Sequence, residues 1–153
     1  ALPVYEALGD RLGAANTLQA LGDVARMTNE YASARAYYGQ ALPVYEALGD
    51  RLGAANTLRA LGDVAYMEDE YASARAYYGQ ALTLGQAIGD FTVRLNALAN
   101  LARLEKTLDN AAAACDYYRR LLDLANSHPF FKAHPVVEGW RQEYVNLGCE
   151  VTD

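Results

Sequence analysis

The chain repeats itself with a period of forty residues. Residues 41–80 match residues 1–40 at all but four positions, and a more divergent third copy follows from 81 to about 120. The four differences are Gln19/Arg59, Arg26/Tyr66, Thr28/Glu68 and Asn29/Asp69. A unit of roughly 20 to 50 residues that recurs in tandem predicts an array in which neighbouring units bury each other's apolar faces.

Each unit divides into two segments long enough for amphipathic helices, about 10–27 and 31–48 in the first unit. Small and apolar residues recur in both segments at spacings of three and four, which indicates one buried helical face. The buried positions predicted in this way are Ala14, Leu18, Leu21 and Ala25 in the first segment and Ala34, Tyr38, Ala41 and Tyr45 in the second. Two such helices joined by a short turn form an antiparallel hairpin.

Glycine–aspartate pairs separate the units, at Gly9-Asp10, Gly49-Asp50 and Gly89-Asp90. Glycine tolerates the left-handed conformation that ends many helices, and an aspartate side chain accepts hydrogen bonds from the first free N–H groups of the next helix. We therefore expect one helix to end and another to begin at each pair.

Every copy carries a large apolar residue, a Leu-Gly or Leu-Ala pair, a small residue and, four residues later, a tyrosine. These are Leu18, Leu21-Gly22, Ala34 and Tyr38 in the first copy, Leu58, Leu61-Gly62, Ala74 and Tyr78 in the second, and Leu98, Leu101-Ala102, Ala114 and Tyr118 in the third. The pattern resembles the tetratricopeptide repeat family over about residues 1–126. This resemblance implies an all-α fold, a right-handed α-solenoid of stacked antiparallel helix hairpins.

Gly22 and Gly62 fall inside predicted helices, where glycine is less favourable than alanine by about 1 kcal/mol. We expect close approach of the partner helix at these two positions, against Tyr38 and Tyr78 respectively. That approach would explain why a residue without a side chain is retained there.

The end of the chain departs from the repeat. Residues 126–135 predict a loop, and Val137, Trp140, Tyr144 and Leu147 then recur at helical spacing. A terminal helix at 135–148 would cap the third hairpin, as solenoids require. The predicted single domain therefore comprises 1–8 as the partial second helix of a truncated repeat, repeats at 10–48, 50–88 and 90–126, and the capping helix at 135–148.

Composition excludes several classes of partner. The formal net charge of −6 argues against binding to nucleic acid or to an anionic membrane surface. No apolar run approaches the roughly 18 residues of a membrane span. Cys115 and Cys149 lie far apart in sequence, and we expect both to remain unpaired, small apolar side chains of a cytoplasmic protein.

The sequence predicts neither catalysis nor a cofactor. His128, His134 and Cys149 match no zinc-binding spacing, and no phosphate-binding glycine loop or nucleophile elbow is present. Adjacent tyrosines could form a stacking platform, but one member of each pair belongs to a packing stripe, so we expect core packing instead. The pairs are Tyr37-Tyr38, Tyr77-Tyr78 and Tyr117-Tyr118. We therefore expect a chain that is not an enzyme and holds no metal.

A second helical face, opposite the buried stripe of the first helix in each unit, carries polar residues. In the tetratricopeptide family these helices line the concave surface, so the resemblance implies that this face points into a groove. The candidate peptide-binding residues are Asn16, Gln19, Asp23, Arg26, Asn56, Arg59, Asp63, Tyr66, Asn96, Arg103 and Lys106.

The recurrent asparagines suggest how a peptide would be held, because an amide both donates to and accepts from a peptide backbone. Arg59, Arg103 and Lys106 would select acidic groups, and Asp23 and Asp63 basic ones. The predicted function is a protein- or peptide-binding module, serving as the recognition or sensor arm of a larger regulatory protein.

Three other interpretations remain open. Exposed positions drift freely, so the differences between copies need not reflect binding. The N-terminal edge, where an upstream hairpin would pack, predicts self-association into a structural scaffold. Finally, near-identical copies also fit an engineered, consensus-like repeat array.

Overall fold

The computed structural model describes the backbone of residues 2–149 and the side chains of residues 7–149. This part of the chain contains no β-strand and forms the helices α1 (Leu2–Met27), α2 (Tyr31–Leu48), α3 (Arg51–Met67), α4 (Tyr71–Ile88), α5 (Phe91–Thr107), α6 (Ala111–Asn126), α7 (Pro129–Lys132) and α8 (Pro135–Asn146). Antiparallel neighbours pack as hairpins, α1 with α2, α3 with α4 and α5 with α6, and the predicted all-α fold of helix hairpins is confirmed. None of the described helices is long and apolar enough to cross a bilayer.

The chain forms two compact units that divide between Asp90 and Phe91. In the first unit α1 and α2 form one hairpin, α3 and α4 form the next, and α2 packs against both α1 and α3. In the second unit α5 and α6 form the third hairpin, and both α7 and α8 pack against α6.

The turn within each hairpin of the first unit uses a residue with positive φ. Asn29 has φ 63° and its counterpart Asp69 has φ 61°. Their side chains accept hydrogen bonds from the hydroxyls of Tyr31 and Tyr71, each at 2.9 Å. Asparagine and aspartate tolerate the left-handed region better than other residues with a side chain, so this substitution preserves the turn.

Two of the three glycine–aspartate pairs end helices as predicted. Gly49 lies in the left-handed region, its N–H donates to Glu46 O, and the N–H of Asp50 donates to Tyr45 O. The Asp50 carboxylate then accepts a hydrogen bond from the N–H of Gly53, which caps α3. Gly89 ends α4 in the same conformation.

The prediction of a break at Gly9-Asp10 is wrong. Residues 2–8 do not form a separate helix, because α1 continues from Leu2 through this pair to Met27. The same sequence, LPVYEALGDRLGAANTL, is a continuous helix at 2–18 and a helix, turn and helix at 42–58. At Gly49 the turn is stabilised because Tyr45 packs between Ala15 of α1 and Ala54 of α3. No such pair of flanking helices surrounds residues 2–8 in the described structure, so the helix propagates.

The predicted glycine–tyrosine contacts are confirmed. A Cβ atom added at Gly22 would lie 2.5 Å from the Tyr38 ring, and one added at Gly62 would lie 2.6 Å from the Tyr78 ring. Both rings are fully buried. Sequence reasoning missed a third contact of this kind, between Gly53 and Tyr45, where the added Cβ would lie 2.5 Å from the ring.

The predicted buried stripe of the first helix is only partly correct. Ala25 is buried in α1, but Ala14 and Leu21 are exposed. Their counterparts in the next copy, Ala54 and Leu61, are both buried. The difference arises because α2 covers this face of α3, whereas no described helix covers the same face of α1. The stripe predicted for α2 is confirmed in full, since Ala34, Tyr38, Ala41 and Tyr45 are all buried.

The C-terminal segment contains more structure than the loop and helix predicted. The short helix α7 lies inside the predicted loop, and α8 follows close to the predicted capping helix. The Nδ1 atoms of His128 and His134 accept hydrogen bonds from backbone N–H groups at the starts of α7 and α8. Both histidines therefore have structural roles at the starts of these helices.

The prediction that both cysteines are unpaired is also wrong. Cys115 on α6 forms a disulfide with Cys149, 34 residues later, and the two Cα atoms are 5.5 Å apart. That separation is usual for a disulfide. The sequence offered no sign of the pairing, because only the return of α8 along α6 brings the two residues together. The cysteines accordingly do not support a reducing compartment.

Candidate binding surface on α1 and α3

The predicted binding residues of the first two copies lie on α1 and α3 and form what we name the polar face. It consists of Asn16, Gln19, Asp23 and Arg26 on α1 and Asn56, Arg59, Asp63 and Tyr66 on α3. Asn16 is exposed and the other seven are half-buried. The side chains therefore reach the surface while their inner atoms contact the hairpins beneath.

Buried tyrosines of the second helices fix the two aspartates. The hydroxyl of Tyr38 donates to Asp23 Oδ1 at 2.5 Å, and the hydroxyl of Tyr78 donates to Asp63 Oδ1 at 2.5 Å. Burial of the Tyr38 ring and its hydrogen bond to Asp23 raise the pKa of that hydroxyl well above its usual value. Tyr38 thus remains a neutral donor that orients Asp23, and Tyr78 makes the equivalent hydrogen bond to Asp63.

A charge network links the two hairpins across the polar face. Arg26 Nη1 lies 2.8 Å from Asp63 Oδ2, joining α1 to α3. Arg59 Nη1 lies 3.9 Å from the same Asp63 oxygen, and Arg26 also lies 3.7 Å from Asp23. Asp63 therefore lies within ion-pair distance of two arginines while it accepts the tyrosine hydrogen bond.

The amides of the first copy are engaged as well. The Tyr45 hydroxyl lies 2.6 Å from Asn16 Oδ1 and 2.8 Å from Gln19 Oε1. Burial of Tyr45 raises its hydroxyl pKa, so the hydroxyl stays protonated and its one hydrogen is shared between these two oxygens. Each side chain keeps its NH₂ group for another acceptor. The counterpart of Tyr45 in the second copy is Gly85, so this contact is absent where Arg59 replaces Gln19.

Two of the four differences between the copies belong to contacts between hairpins. Arg26 pairs with Asp63, although its own counterpart is Tyr66. Glu68, the counterpart of Thr28, forms an ion pair with Arg35 of α2. These side chains join the first copy to the second. Helix periodicity alone could not reveal these ion pairs, because the partners lie more than thirty residues apart.

An apolar cleft lies at the N-terminal end of the same helix. Leu8 and Leu12 of α1 face Ala47 and Leu48 at the end of α2, around a volume of roughly 370 Å³. Sequence reasoning missed this cleft because it placed a helix break at Gly9. On the helical wheel Leu12 lies within about 20° of Gln19, so the cleft and the polar face share one side of α1.

The candidate residues of the third copy lie on α5 in the second unit. Asn96, Arg103 and Lys106 are all exposed. Lys106 Nζ donates to Glu143 Oε2 of α8 at 2.6 Å. The capping helix thus already supplies an acidic partner to one of the cations that the sequence assigned to a ligand.

The described residues contain no group of three or more histidine, cysteine, aspartate or glutamate side chains placed to hold a metal ion. The polar face also lacks a histidine or cysteine. Its chemistry consists of paired charges, amides and tyrosine hydroxyls, which suit recognition by hydrogen bonds and ion pairs.

Comparison with known proteins gives one family match and no individual relative. Residues 1–47 match the family model of the tetratricopeptide repeat. No curated protein was found to match the chain. The match covers the first hairpin, and residues 41–80 repeat its sequence with four substitutions. Together with the packed helix hairpins, this match supports an assignment of the chain to the tetratricopeptide repeat family.

Proposed function

We propose that the polar face of α1 and α3 binds an extended segment of a partner protein. Tetratricopeptide repeats are non-catalytic protein–protein interaction modules, so an interaction role follows from the family. The finer proposal concerns where on this chain the partner binds. Such a module would serve as the recognition arm of a larger regulatory protein.

The main support is that the polar face is ordered before any ligand arrives. Asp23 and Asp63 are held by tyrosine hydroxyls, and Arg26 is held by Asp63. Binding then requires little further loss of side-chain freedom, which otherwise opposes association by about 0.5–1.5 kcal/mol per side chain. Asp23 and Arg59 remain partly exposed, so each can still contact a ligand.

The apolar cleft beside Leu8 and Leu12 gives the proposed ligand a direction. An apolar side chain would enter the cleft, while the following residues would lie along the polar face toward Arg59 and Tyr66. Burial of the exposed leucine surface would stabilise such a complex by roughly 25 cal/mol for each Å² removed from water. The best ligand would therefore combine one apolar anchor with charged residues of both signs.

The peptide proposal is tested with ligands selected against this protein from a display library of unstructured peptides. The double variant Arg59→Ala, Tyr66→Ala is expected to weaken the selected peptides at least about tenfold, because it removes one cation and one aromatic surface from the polar face. Isothermal titration calorimetry measures the change. The matched control, Tyr117→Ala, Arg119→Ala, removes the same residue types from α6.

Unchanged affinity in the Arg59→Ala, Tyr66→Ala variant, or equal loss in the α6 control, would show that the peptides bind elsewhere. Circular dichroism of both variants checks that helicity is retained. The first copy has Gln19 and Arg26 at the positions of Arg59 and Tyr66. The double swap Arg59→Gln, Tyr66→Arg therefore offers a second, conservative variant. It should change which peptides are preferred rather than abolish binding.

A second candidate function is self-association, which one specific observation favours. Leu21 is 42% exposed and Val24 is 59% exposed, whereas their counterparts Leu61 and Val64 are 4% and 1% exposed. The identical residues are therefore covered by α2 on α3 and left open on α1. A second copy that packs its own α1 against this face would bury Leu21 and Val24 of both chains around a twofold axis.

The Val24→Glu variant tests self-association. We expect sedimentation velocity to show a dimer of the wild type that dissociates on dilution, and a monomer of Val24→Glu at every concentration, because the carboxylate would be desolvated in the interface. Val145→Glu is the control, since Val145 is exposed on α8. A wild type that is monomeric throughout would rule out this candidate and leave the peptide proposal unaffected.

A further inference from the structure

We propose that the Cys115–Cys149 disulfide is a redox latch that fastens α8 over a basic and aromatic cleft of the second unit. The latch and the cleft both lie within the second unit. The inference therefore stands independently of the peptide surface proposed for α1 and α3.

The attachment of α8 without the disulfide is weak. The helix is 12 residues long, and only Val137 and Tyr144 among its residues are buried. Isolated helices of this length are marginal in water, so α8 depends on what holds it to α6. Trp140 is only half-buried, and the ion pair of Glu143 with Lys106 of α5 lies at the surface, where such pairs contribute little in water.

The disulfide lies where it restrains this helix most. Cys149 follows α8 directly, and Cys115 lies near the start of α6, so the bond closes a loop between residues 34 apart that contains both α7 and α8. Closing a loop of this length disfavours open states by a factor on the order of 10². Both cysteines are half-buried, and a small reductant therefore has access to the bond.

The latched helix forms one wall of a cleft of roughly 380 Å³. Arg103 and Lys106 enter it from α5, Tyr118 from α6, and Trp140 and Glu143 from α8. Glu143 reaches across to Lys106, so α8 places its own carboxylate where an acidic group of a partner would bind. Release of α8 would remove this wall and leave Arg103, Lys106 and Tyr118 accessible to acidic peptide segments.

The chemical step is thiol–disulfide exchange with a small dithiol. A thiolate of the dithiol attacks one sulfur of the bond and releases the other cysteine as a thiolate, which takes up a proton. The second thiol of the reductant then displaces the first sulfur. Two electrons pass to the protein, two cysteine thiols form, and the dithiol leaves as a cyclic disulfide.

Trp140 reports the state of α8 directly, because it is the only tryptophan in the chain. The intact protein is treated with dithiothreitol, and full reduction is verified by thiol titration. We expect the Trp140 emission to shift to longer wavelength and acrylamide quenching to increase severalfold. Hydrogen–deuterium exchange at α8 amides should accelerate about 10²-fold, while the buried amides of α5 and α6 stay protected.

Two variants sharpen the test. Cys115→Ser, Cys149→Ser should show the reduced behaviour without any reductant, and dithiothreitol should not change it further. Glu143→Gln should keep α8 protected in the oxidised form, because the disulfide still holds the helix. The proposal is overturned if α8 stays protected after complete reduction, or if α5 and α6 lose protection together with it, since that would mean general unfolding of the unit.

Discussion

Replacing Gly62 with alanine is expected to lower the free energy of unfolding by about 2 kcal/mol or more. The added Cβ would lie 2.6 Å from the Tyr78 ring, closer than two carbon atoms can approach. Tyr78 cannot withdraw easily, because its ring is fully buried and its hydroxyl donates to Asp63. The strain therefore outweighs the helix propensity that alanine gains over glycine, about 1 kcal/mol.

Gly79→Ala is the matched control for Gly62→Ala. Gly79 also lies inside a helix of the second copy, but an added Cβ there would have no neighbour within 4 Å. We expect this variant to be more stable than the wild type by about 0.5–1 kcal/mol. Urea denaturation followed by circular dichroism measures both changes. Similar shifts in the two variants would show that the Gly62–Tyr78 contact is looser than described.

Leu61→Ala is expected to destabilise the protein by about 2–4 kcal/mol, and Leu21→Ala by less than about 1 kcal/mol. The two leucines occupy the same position in nearly identical helices. Leu61 is buried in a cluster with Ala34 and Tyr38 of α2, so its truncation leaves a cavity. Leu21 is exposed, and its truncation removes little packing within the chain.

Urea denaturation at low protein concentration compares these two leucine variants. If Leu21→Ala lowered the free energy of unfolding as much as Leu61→Ala, that result would contradict the exposure of Leu21 on α1. Repeating the measurement at high concentration separates the packing of one chain from that between chains. If a second copy covers α1, the effect of Leu21→Ala should grow with concentration, whereas the effect of Leu61→Ala should not.

Much of the fold could be predicted because it depends on neighbours within one hairpin. Spacings of three and four identified Ala34, Tyr38, Ala41 and Tyr45 as buried, and all four are. The pairing of Gly62 with Tyr78 was likewise predictable, since the two residues lie on the adjoining helices of one hairpin. Both kinds of contact recur in the first two copies and leave a periodic trace in the sequence.

The candidate site was less predictable. Periodicity located the polar face but not its internal contacts, and it gave no sign that Arg26 joins Asp63 or that Lys106 joins Glu143. Both pairs span 37 residues. The apolar cleft beside Leu8 was also missed, because its existence depends on a helix that continues where the sequence indicates a break.

The sequence by itself determined the helical class, the forty-residue period and the buried face of α2, because these follow from local propensity and side-chain spacing. Only the tertiary structure decided whether a glycine–aspartate pair ends a helix, as at Gly49, or lies within one, as at Gly9. It also decided that Cys115 and Cys149 pair. The physical reason is that identical local sequences have similar energies in either state, so contacts with distant helices decide where a helix ends. The disulfide likewise depends on the packing of α8 against α6.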